Sequence, residues 1–358
     1  MLASGLLVLA NALVSATIDA DGLVTSLRDL VADRELIPSG ARGNRLLLHR
    51  DTPTQWDAWD IDAHYKRTTV PLDAAVSVEV VADTPAEACV RVIRVFGSSR
   101  LVEEITLAAG SPTLDLVFDV DWHERQKLLK IEFPFDVHAE RAASEIQFGH
   151  VYRPTHANTS WDTARFETCA HRWVHVGEAG YGVAVANDST YGHDIGRSTD
   201  AGGRATTTVR LSLLRAALFP DPEADQGRHS FRLAVRPGAT IADAITEGYR
   251  LNLPLRTVTG VANDGIDPLL EVDNPAVVVE AVKLAEDRSG DLIVRIYEAH
   301  GSRARARVIR RFEAADAYPT DLLERRLAEP GLPLSQAGPV LDIELRPFQL
   351  LTLRYPRP

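Results

Sequence analysis

The sequence predicts an all-β protein with a large β-sandwich domain followed by a small one, and three observations support this fold class. Runs with period two dominate, as in Val76–Val81 and Cys89–Phe96, which alternate as half-buried strands do. Clusters of Gly, Pro, Asp and Ser separate such runs at the spacing of sandwich turns. A stretch with two prolines, residues 252–273, interrupts the pattern before a fresh set of strands begins. The predicted domains are therefore residues 1–260 and 261–358.

Two segments are predicted to be helical within this β-rich chain. Ile241–Leu251 and Pro319–Glu329 lack strand alternation, and the second places Leu322, Leu323 and Leu327 at helical spacing. The sequence therefore predicts only minor helix.

The apolar N-terminus is predicted to form a first β-strand rather than a secretory signal peptide. No basic residue precedes the apolar run, and the alternation of Leu13, Ser15 and Thr17 leads into the turn residues Asp19–Gly22. Secretion is the alternative. No other segment approaches the roughly 20 apolar residues of a membrane span, and two cysteines are too few for a disulfide scaffold. We therefore expect a cytoplasmic protein with no membrane partner.

Charge and composition limit the partners of the chain. The formal net charge is −11, because 50 Asp and Glu residues outnumber 39 Lys and Arg residues. Phosphate neutralisation requires clustered Lys and Arg, so no nucleic-acid partner is expected. Neutral substrates such as sugars fit this acidic chain better. The four lysines are Lys66, Lys127, Lys130 and Lys283.

Three stretches are too polar and too aromatic for simple strands and turns. They are Gln55–Tyr65 (QWDAWDIDAHY), Gln147–His175, and Asn187–Asp194 (NDSTYGHD). Tryptophan beside Asp and Asn is typical of sugar recognition, because the ring packs on the apolar face of a pyranose while polar side chains bond its hydroxyls. The alternative is that the tryptophans are buried in the core. These tryptophans are Trp56, Trp59, Trp161 and Trp173.

No complete catalytic or metal-binding set is recognisable in the sequence. Asp57, Asp60 and Asp62 are too close along one predicted strand for an acid–base pair. His171 and His175 are four residues apart but lie among strands, and no HExxH motif or nucleophile elbow occurs. We therefore predict no catalytic residue, no metal ligand and no cofactor in this chain.

The same stretches resemble the C-terminal half of glycoside hydrolase family 38 α-mannosidases, and the resemblance covers almost the whole chain. Several long sequence segments occur in the order that the family shows. These segments are QWDAWDID followed by Tyr65, FDVDWHERQKLLKIEFPFDV at 118–137, EIQFGHVYRPTHANTSWDTARFE at 145–167, AHRW at 170–173, EAGYGVAVANDSTYGHDI at 178–195, LSLLRA and PDPEADQGRHSF within 211–231, and then VVVEAVKLAED and LIVRIYEAHG.

This resemblance implies a large β-supersandwich, similar to galactose mutarotase, followed by a small sandwich. It also implies that the zinc ion and the Asp nucleophile of a retaining mechanism belong to an N-terminal catalytic domain with no counterpart in these residues. The chain is then expected to pack on the catalytic domain of the same enzyme, to act with it on α-mannoside glycans, and to be inactive alone. Members of the family often assemble, so a homo-oligomer is compatible with the resemblance.

The resemblance further implies that loops of the supersandwich help to close the pocket around substrate. Of the three stretches, Asn187–Asp194 is the best candidate to face the substrate pocket, and the other two stretches are expected beside it. Interdomain packing is the alternative role for each residue. The expected substrate-binding residues are Trp56, Trp59, Asp60, Arg153, His156, Asn158, Trp161, Asn187, Asp188, Tyr191, His193 and Asp194.

Two functions of other classes stay open. A stand-alone carbohydrate-binding module would use the tryptophan-rich loops and the sheet. A mutarotase-like epimerase or polysaccharide lyase would need a His beside a carboxylate or a Tyr in one cleft. If the three stretches form an interface, the face that carries them is expected to be rich in exposed aromatic residues.

Overall fold

The computed structural model of the protein describes residues 5–200, 202–253, 255–257, 259–260, 267–328 and 334–358. The chain forms two compact units. The first comprises Met1–Glu145 and Tyr152–Pro254, and the second comprises Ile146–Val151 and Leu255–Pro358. The predicted domain boundary after residue 260 adjoins residues 261–266, which lie outside the described residues, and it stays a prediction.

β-Strands dominate the described residues. The strands up to residue 237 are β1 (Leu7–Ala10), β2 (Val14–Ile18), β3 (Val24–Asp29), β4 (Arg34–Glu35), β5 (Arg45–Arg50), β6 (Val70–Pro71), β7 (Ser77–Asp83), β8 (Glu87–Phe96), β9 (Ser99–Ala108), β10 (Leu114–Trp122), β11 (Lys127–Phe135), β12 (Arg141–Ile146), β13 (Gly149–Pro154), β14 (Thr168–Cys169), β15 (Trp173–Glu178), β16 (Tyr181–Asn187), β17 (Gly192–Thr199), β18 (Ala205–Arg215) and β19 (Gly227–Pro237). The later strands are β20 (Leu270–Val272), β21 (Val277–Leu284), β22 (Leu292–Glu298), β23 (Ala304–Arg310), β24 (Tyr318–Thr320), β25 (Leu334–Ala337), β26 (Val340–Leu345) and β27 (Leu350–Tyr355). The helices are α1 (Ser160–Ala164), α2 (Ile241–Asn252) and a 3-10 helix (Ala63–Thr68).

Strands β1–β19 form three antiparallel sheets. One is the meander β1-β2-β3-β4, a second has six strands in the order β14-β17-β18-β11-β5-β6, and the third has nine in the order β13-β12-β15-β16-β19-β10-β9-β8-β7. Alternation along each strand sends Phe118 of β10 and Ile131 of β11 into one shared core. The intervening residues Lys130 and Glu132 therefore lie on the opposite face of the six-stranded sheet, which we call its outer face.

Two four-stranded sheets form the second unit, with the strand orders β20-β23-β26-β25 and β21-β22-β27-β24. Val308 of β23 and Leu353 of β27, each 0% exposed, belong to its separate core. The predicted fold class, a large β-supersandwich followed by a small β-sandwich, is confirmed.

Two local predictions are also confirmed. Strands β2 and β3 form the predicted N-terminal hairpin, and Gly22 in its turn has a φ of +75°, a conformation that favours glycine. The helix predicted at Ile241–Leu251 is α2, which begins after Thr240. The Thr240 hydroxyl accepts the N–H of Asp243 in a capping box.

The helix predicted at Pro319–Glu329 is wrong. Pro319 belongs to β24, and the chain then turns, because the Asp321 carboxylate accepts the backbone N–H groups of Leu323 and Arg325, both at 2.9 Å. Glu324 has a φ of +66°, which no helix contains. Helical spacing of the leucines was therefore a coincidence, and a turn formed by the side chain of Asp321 decides the structure.

Candidate functional site

The first polar and aromatic stretch forms a loop, residues 54–62, which we call the aromatic loop. The Trp56 carbonyl accepts the N–H groups of Trp59 and Asp60, both at 2.8 Å, and Trp56 has a φ of +59°. Trp56 and Trp59 are each 66% exposed. The expectation that Asp57, Asp60 and Asp62 lie along one strand is therefore wrong.

Asp57 and Arg215 hold the aromatic loop in place. Asp57 Oδ2 accepts the backbone N–H groups of Leu218 at 2.7 Å and Phe219 at 3.1 Å. The guanidinium of Arg215, at the end of β18, donates to the carbonyl of Asp57 at 2.9 Å and to that of Asp60. The carboxylate of Asp57 is thus engaged by backbone N–H groups, and these contacts fix the backbone of the loop that carries the two exposed indole rings.

Further aromatic rings of the first unit are exposed. Phe219, 62% exposed, lies edge to face with Trp59, with ring centroids 6.3 Å apart. Trp161 is 76% exposed on the short helix α1, whereas Trp173 on β15 is 1% exposed. Three of the four tryptophans in the unusual stretches are therefore exposed, and the core alternative applies to Trp173.

Two of the other predicted residues of the second stretch lie at a cavity. Arg153 and His156 line a cavity of about 470 Å³ together with Tyr152. Arg153 Nη1 is buried without a hydrogen-bond partner among the described residues, and burial lowers the pKa of Arg153. His156 Nδ1 lies 3.5 Å from Asp162 Oδ2, and Asn158 is exposed. Arg153 Nη1 and His156 Nδ1 are thus both buried polar atoms without a hydrogen-bond partner among the described residues.

Two residues of the third stretch shape their own turn. Asn187, 3% exposed, donates to the carbonyl of His171 at 2.9 Å, and its Oδ1 accepts the N–H of Thr190 at 2.9 Å. The Asp188 carboxylate accepts the backbone N–H of Arg232 at 3.0 Å and its guanidinium at 2.9 Å. The polar atoms of both side chains are thus engaged within the protein.

Tyr191 and His193 differ sharply in exposure. Tyr191 is 52% exposed and meets His171 edge to face, with ring centroids 5.5 Å apart. His193 is 1% exposed, and its Nε2 lies 3.2 Å from the Ser144 hydroxyl and 3.1 Å from the Thr168 hydroxyl. Burial lowers the pKa of His193 to about 4, so the ring is neutral near pH 7. Of this pair, Tyr191 is exposed to solvent and His193 is not.

Asp194 belongs to a network of charges on the outer face. Arg210 of β18 is in register with Glu132 of β11 and with Asp194 of β17, so the three side chains share this face. Arg210 donates to Glu132 at 2.6 Å and to Asp194 at 3.1 Å. Lys130 Nζ lies 2.7 Å from Asp194 Oδ2 and also pairs with Glu167. We call these five residues the outer-face network.

Burial and opposite charges set the protonation states in this network. Burial raises the pKa of Asp194, but Lys130 and Arg210 outweigh it and hold the pKa well below its usual range. Tyr65 donates its hydroxyl to Glu167, and burial together with the charges of Asp194 and Glu167 raises the pKa of Tyr65. Asp194 is therefore ionised and Tyr65 is neutral at neutral pH.

A cavity of about 260 Å³ adjoins the network, and we call it the outer-face cavity. Its wall includes His49, 3% exposed, whose ring meets Tyr65 edge to face at 5.0 Å between centroids. Burial and the charge of Lys130 lower the pKa of His49 to about 4. The epimerase or lyase alternative needs a His and a Tyr whose reactive atoms converge in one cleft, whereas these two rings meet edge to face and the Tyr65 hydroxyl is bonded to Glu167. Sequence reasoning missed this cavity, although the rarity of lysine was a signal, since Lys66 and Lys130 both line it.

No metal site is formed by the residues that the structure describes, because no group of three or more His, Cys, Asp or Glu side chains among them is placed to hold an ion. They offer no site that fits the zinc ion implied for the catalytic domain. None of the helices within the described residues has the length and apolar character needed to cross a membrane.

Comparisons with known proteins give a consistent result. The profile described as Glycosyl hydrolases family 38 C-terminal domain matches residues 9–223, and that described as Glycosyl hydrolases family 38 C-terminal beta sandwich domain matches residues 276–353. Alpha-mannosidase 2C1 of Homo sapiens is 37% identical over 361 residues, which cover 98% of this chain and 33% of that protein. Alpha-mannosidase of Saccharomyces cerevisiae is 30% identical over 390 residues, covering 97% and 34%.

A solved structure shows the same fold. The crystal structure of an alpha-mannosidase from Enterococcus faecalis V583 is similar with a TM-score of 0.75 at 16% identity, covering 99% of this chain and 42% of that one. The chain spans about a third of the length of the curated relatives that it matches. The family resemblance seen in the sequence is thus confirmed, and the chain belongs to glycoside hydrolase family 38, in the C-terminal region of that family.

Proposed function

We propose that this chain is the non-catalytic C-terminal part of a retaining α-mannosidase, where it packs on the catalytic domain and helps to shape the site for α-mannoside glycans. The observation that carries the proposal is the exposure of Trp56, Trp59 and Trp161, each at least 66% exposed. Large rings left uncovered are typical of a surface that a partner or a sugar covers. The chain also spans only a third of relatives that are named as α-mannosidases.

The state of the polar residues supports a non-catalytic role. A general acid or base must reach the proton that it transfers and must titrate near the working pH. His193 is buried with a pKa of about 4, and Asp194 is locked in ion pairs. The carboxylates of Asp57 and Asp188 accept backbone N–H groups. The side chains of these four residues are thus engaged in contacts within the protein, which supports the proposal.

Hydrolysis of an aryl α-mannoside by the purified chain, with and without added zinc, tests the proposal. We expect no turnover, while a full-length α-mannosidase of the family serves as the positive control. Turnover that co-purifies with the chain and scales with its concentration would contradict a non-catalytic role. Cytoplasmic localisation and assembly into a homo-oligomer stay predictions.

The exposed tryptophans also favour a second candidate, a stand-alone carbohydrate-binding module. Calorimetric titration with mannose and short mannosides separates the two. Binding that is lost in Trp59→Ala supports the module, whereas no heat at millimolar sugar counts against it.

A further inference from the structure

We infer that the cavity of about 470 Å³ in the first unit binds a phosphate group, and that three arginines in its wall hold the phosphate oxygens. We call it the arginine cavity. The arginines are Arg141, Arg153 and Arg197, and Glu140, Tyr152, Pro154 and His156 complete the wall. The proposed function rests on the exposed tryptophans, none of which lines this cavity, so the inference is independent of it.

Backbone hydrogen bonds bring the three arginines together. Thr155 is buried just after β13; its N–H donates to the carbonyl of Glu140 at 3.2 Å, and its carbonyl accepts the N–H of Arg197 at 3.1 Å. Arg141 begins β12 directly after Glu140, and Arg153 belongs to β13. The wall is therefore held by the fold itself, which lowers the cost of ordering it around a ligand.

None of the three arginines forms an ion pair with the residues that the structure describes. The guanidinium of Arg141 lies over the ring of Tyr152, 3.9 Å from its centroid, and Arg197 donates to His138 Nε2 at 3.2 Å. Arg153 forms no hydrogen bond within the described part of the chain, and Nη1 alone of its nitrogens is closed to solvent. Nε and Nη2 of Arg153 are therefore accessible donors.

A partly buried arginine elsewhere in this unit has the counter-ion that Arg153 lacks. Arg172 pairs with Glu145 at 2.6 Å, and although burial opposes its charge, this carboxylate raises the pKa of Arg172 overall. Burial lowers the pKa of Arg153, with no carboxylate to offset the lost hydration. A cation taken out of water without a counter-ion is unfavourable, so an anion in the cavity would supply the missing partner.

Charge balance selects a divalent anion. Three arginines and the one carboxylate of the wall, Glu140, leave a charge of about +2 on the lining residues. His156 has its own carboxylate nearby, with Nδ1 3.5 Å from Asp162 Oδ2, so a proton on its ring would be offset. A phosphate monoester carries about −1.5 to −2 at pH 7, and guanidinium groups bind phosphate oxygens in pairs. A carboxylate would balance only half of this charge.

The cavity also has room for an organic group that bears the phosphate. Its volume of about 470 Å³ lies within the roughly 300–1,000 Å³ of small-molecule sites. The exposed ring of Tyr152 and the side chain of Pro154 add apolar surface to the wall. We therefore expect a phosphate monoester to bind more tightly than inorganic phosphate.

Calorimetric titration of the 358-residue chain with inorganic phosphate, glycerol phosphate and acetate at low ionic strength tests the inference. We expect both phosphates to bind and acetate to bind at least tenfold more weakly. Arg153→Gln and Arg141→Gln are each expected to weaken phosphate binding at least tenfold. Arg100→Gln, which changes an exposed arginine of β9 outside the cavity, is the matched control and is expected to bind as the unchanged chain does.

The two phosphate probes identify the source of the group. Tighter binding of glycerol phosphate supports a phosphorylated small molecule as the ligand, and tighter binding of inorganic phosphate supports the free ion. Thermal unfolding checks that each variant folds, and Arg141→Gln decides if Arg153→Gln does not fold, because Arg141 is exposed. Trp59→Ala is expected to leave phosphate binding unchanged, which separates this site from the surface of the proposed function.

Three results would overturn the inference. The first is no heat from either phosphate at millimolar concentration. The second is phosphate binding that the folded Arg141 and Arg153 variants leave unchanged, or that Arg100→Gln weakens equally, since either would indicate non-specific attraction to surface charge. The third is acetate binding as tight as that of phosphate.

Discussion

Lys130 and Asp194 form an ion pair beneath the outer face of the six-stranded sheet, with Nζ 2.7 Å from Oδ2 and side chains that are 0% and 8% exposed. They stand on β11 and β17, on either side of β18. A buried pair of this kind adds little net stability relative to apolar residues of the same size, but removal of one partner strands the other charge.

We therefore expect Lys130→Met to destabilise the protein strongly. Glu167 loses the cation that pairs with it while Asp194 keeps Arg210 and Lys66, and removal of one partner of a buried ion pair costs about 3–5 kcal/mol. Chemical unfolding gives the change in the free energy of unfolding. Lys127→Met, at the partly exposed start of the same strand, is the matched control and is expected to stay within about 0.5 kcal/mol. Equal stability of the two variants would contradict the central role of the pair.

Acid is expected to destabilise the chain between about pH 6.5 and pH 4. His49 and His193 have pKa values lowered from 6.5 to about 4, so the unfolded chain binds their protons first as the pH falls. Their contribution is complete above pH 6.5 and is lost as the pH falls towards 4, by about 3 kcal/mol for each histidine. Asp194, with a lowered pKa, acts only below about pH 4.

Unfolding midpoints measured at pH 7.5, 6 and 5 check this dependence. His193→Gln is expected to halve it, since the amide does not titrate and His49 remains, whereas His123→Gln at an exposed position is expected to leave it unchanged. A midpoint that stays constant from pH 7.5 to pH 5 in the unchanged chain would refute the assignment.

Local alternation made much of the fold predictable. Cys89–Phe96 and the residues around Ile131 alternate because one face of each strand meets the core, and the structure forms β8 and β11 there. The hairpin at Gly22 and the helix α2 are also determined by a few neighbouring residues, namely the turn glycine and the capping residues Thr240 and Asp243. Elements of this kind are predictable because the residues that determine them are adjacent in the chain.

The candidate site depends on contacts between residues that are distant in sequence, and these were not predictable. Arg215 lies more than 150 residues from the aromatic loop that it holds, so a strand remained the natural interpretation of QWDAWDID. Lys130 finds its partners Glu167 and Asp194 only after β11, β17 and β18 assemble. Composition alone also did not separate Trp173, which is buried, from Trp161, which is exposed.

The exposed tryptophans are expected to be dispensable for folding. Trp59→Ala and Trp161→Ala should change the free energy of unfolding by less than about 0.5 kcal/mol, because both rings face solvent. Trp173→Ala is the matched comparison, and loss of this buried ring is expected to cost about 3–5 kcal/mol. Chemical unfolding of the three variants measures the contrast. A large loss in Trp59→Ala would assign that ring a structural role and weaken the proposal that its surface serves a partner or a sugar.

Asp57 is expected to hold the backbone of Leu218 and Phe219, which face the aromatic loop, in its observed conformation. Its carboxylate accepts the N–H groups of Leu218 and Phe219, and loss of a hydrogen bond to a charged acceptor costs about 1.5–3 kcal/mol. Asp57→Ala should therefore speed hydrogen exchange at these two amides by at least tenfold, as measured by mass spectrometry or NMR. Asp60→Ala, whose carboxylate accepts the adjacent Ile61 N–H, is the matched control and should leave that exchange unchanged. Unaltered protection in Asp57→Ala would mean that Arg215 alone positions the loop, since its guanidinium binds the carbonyls of both Asp57 and Asp60.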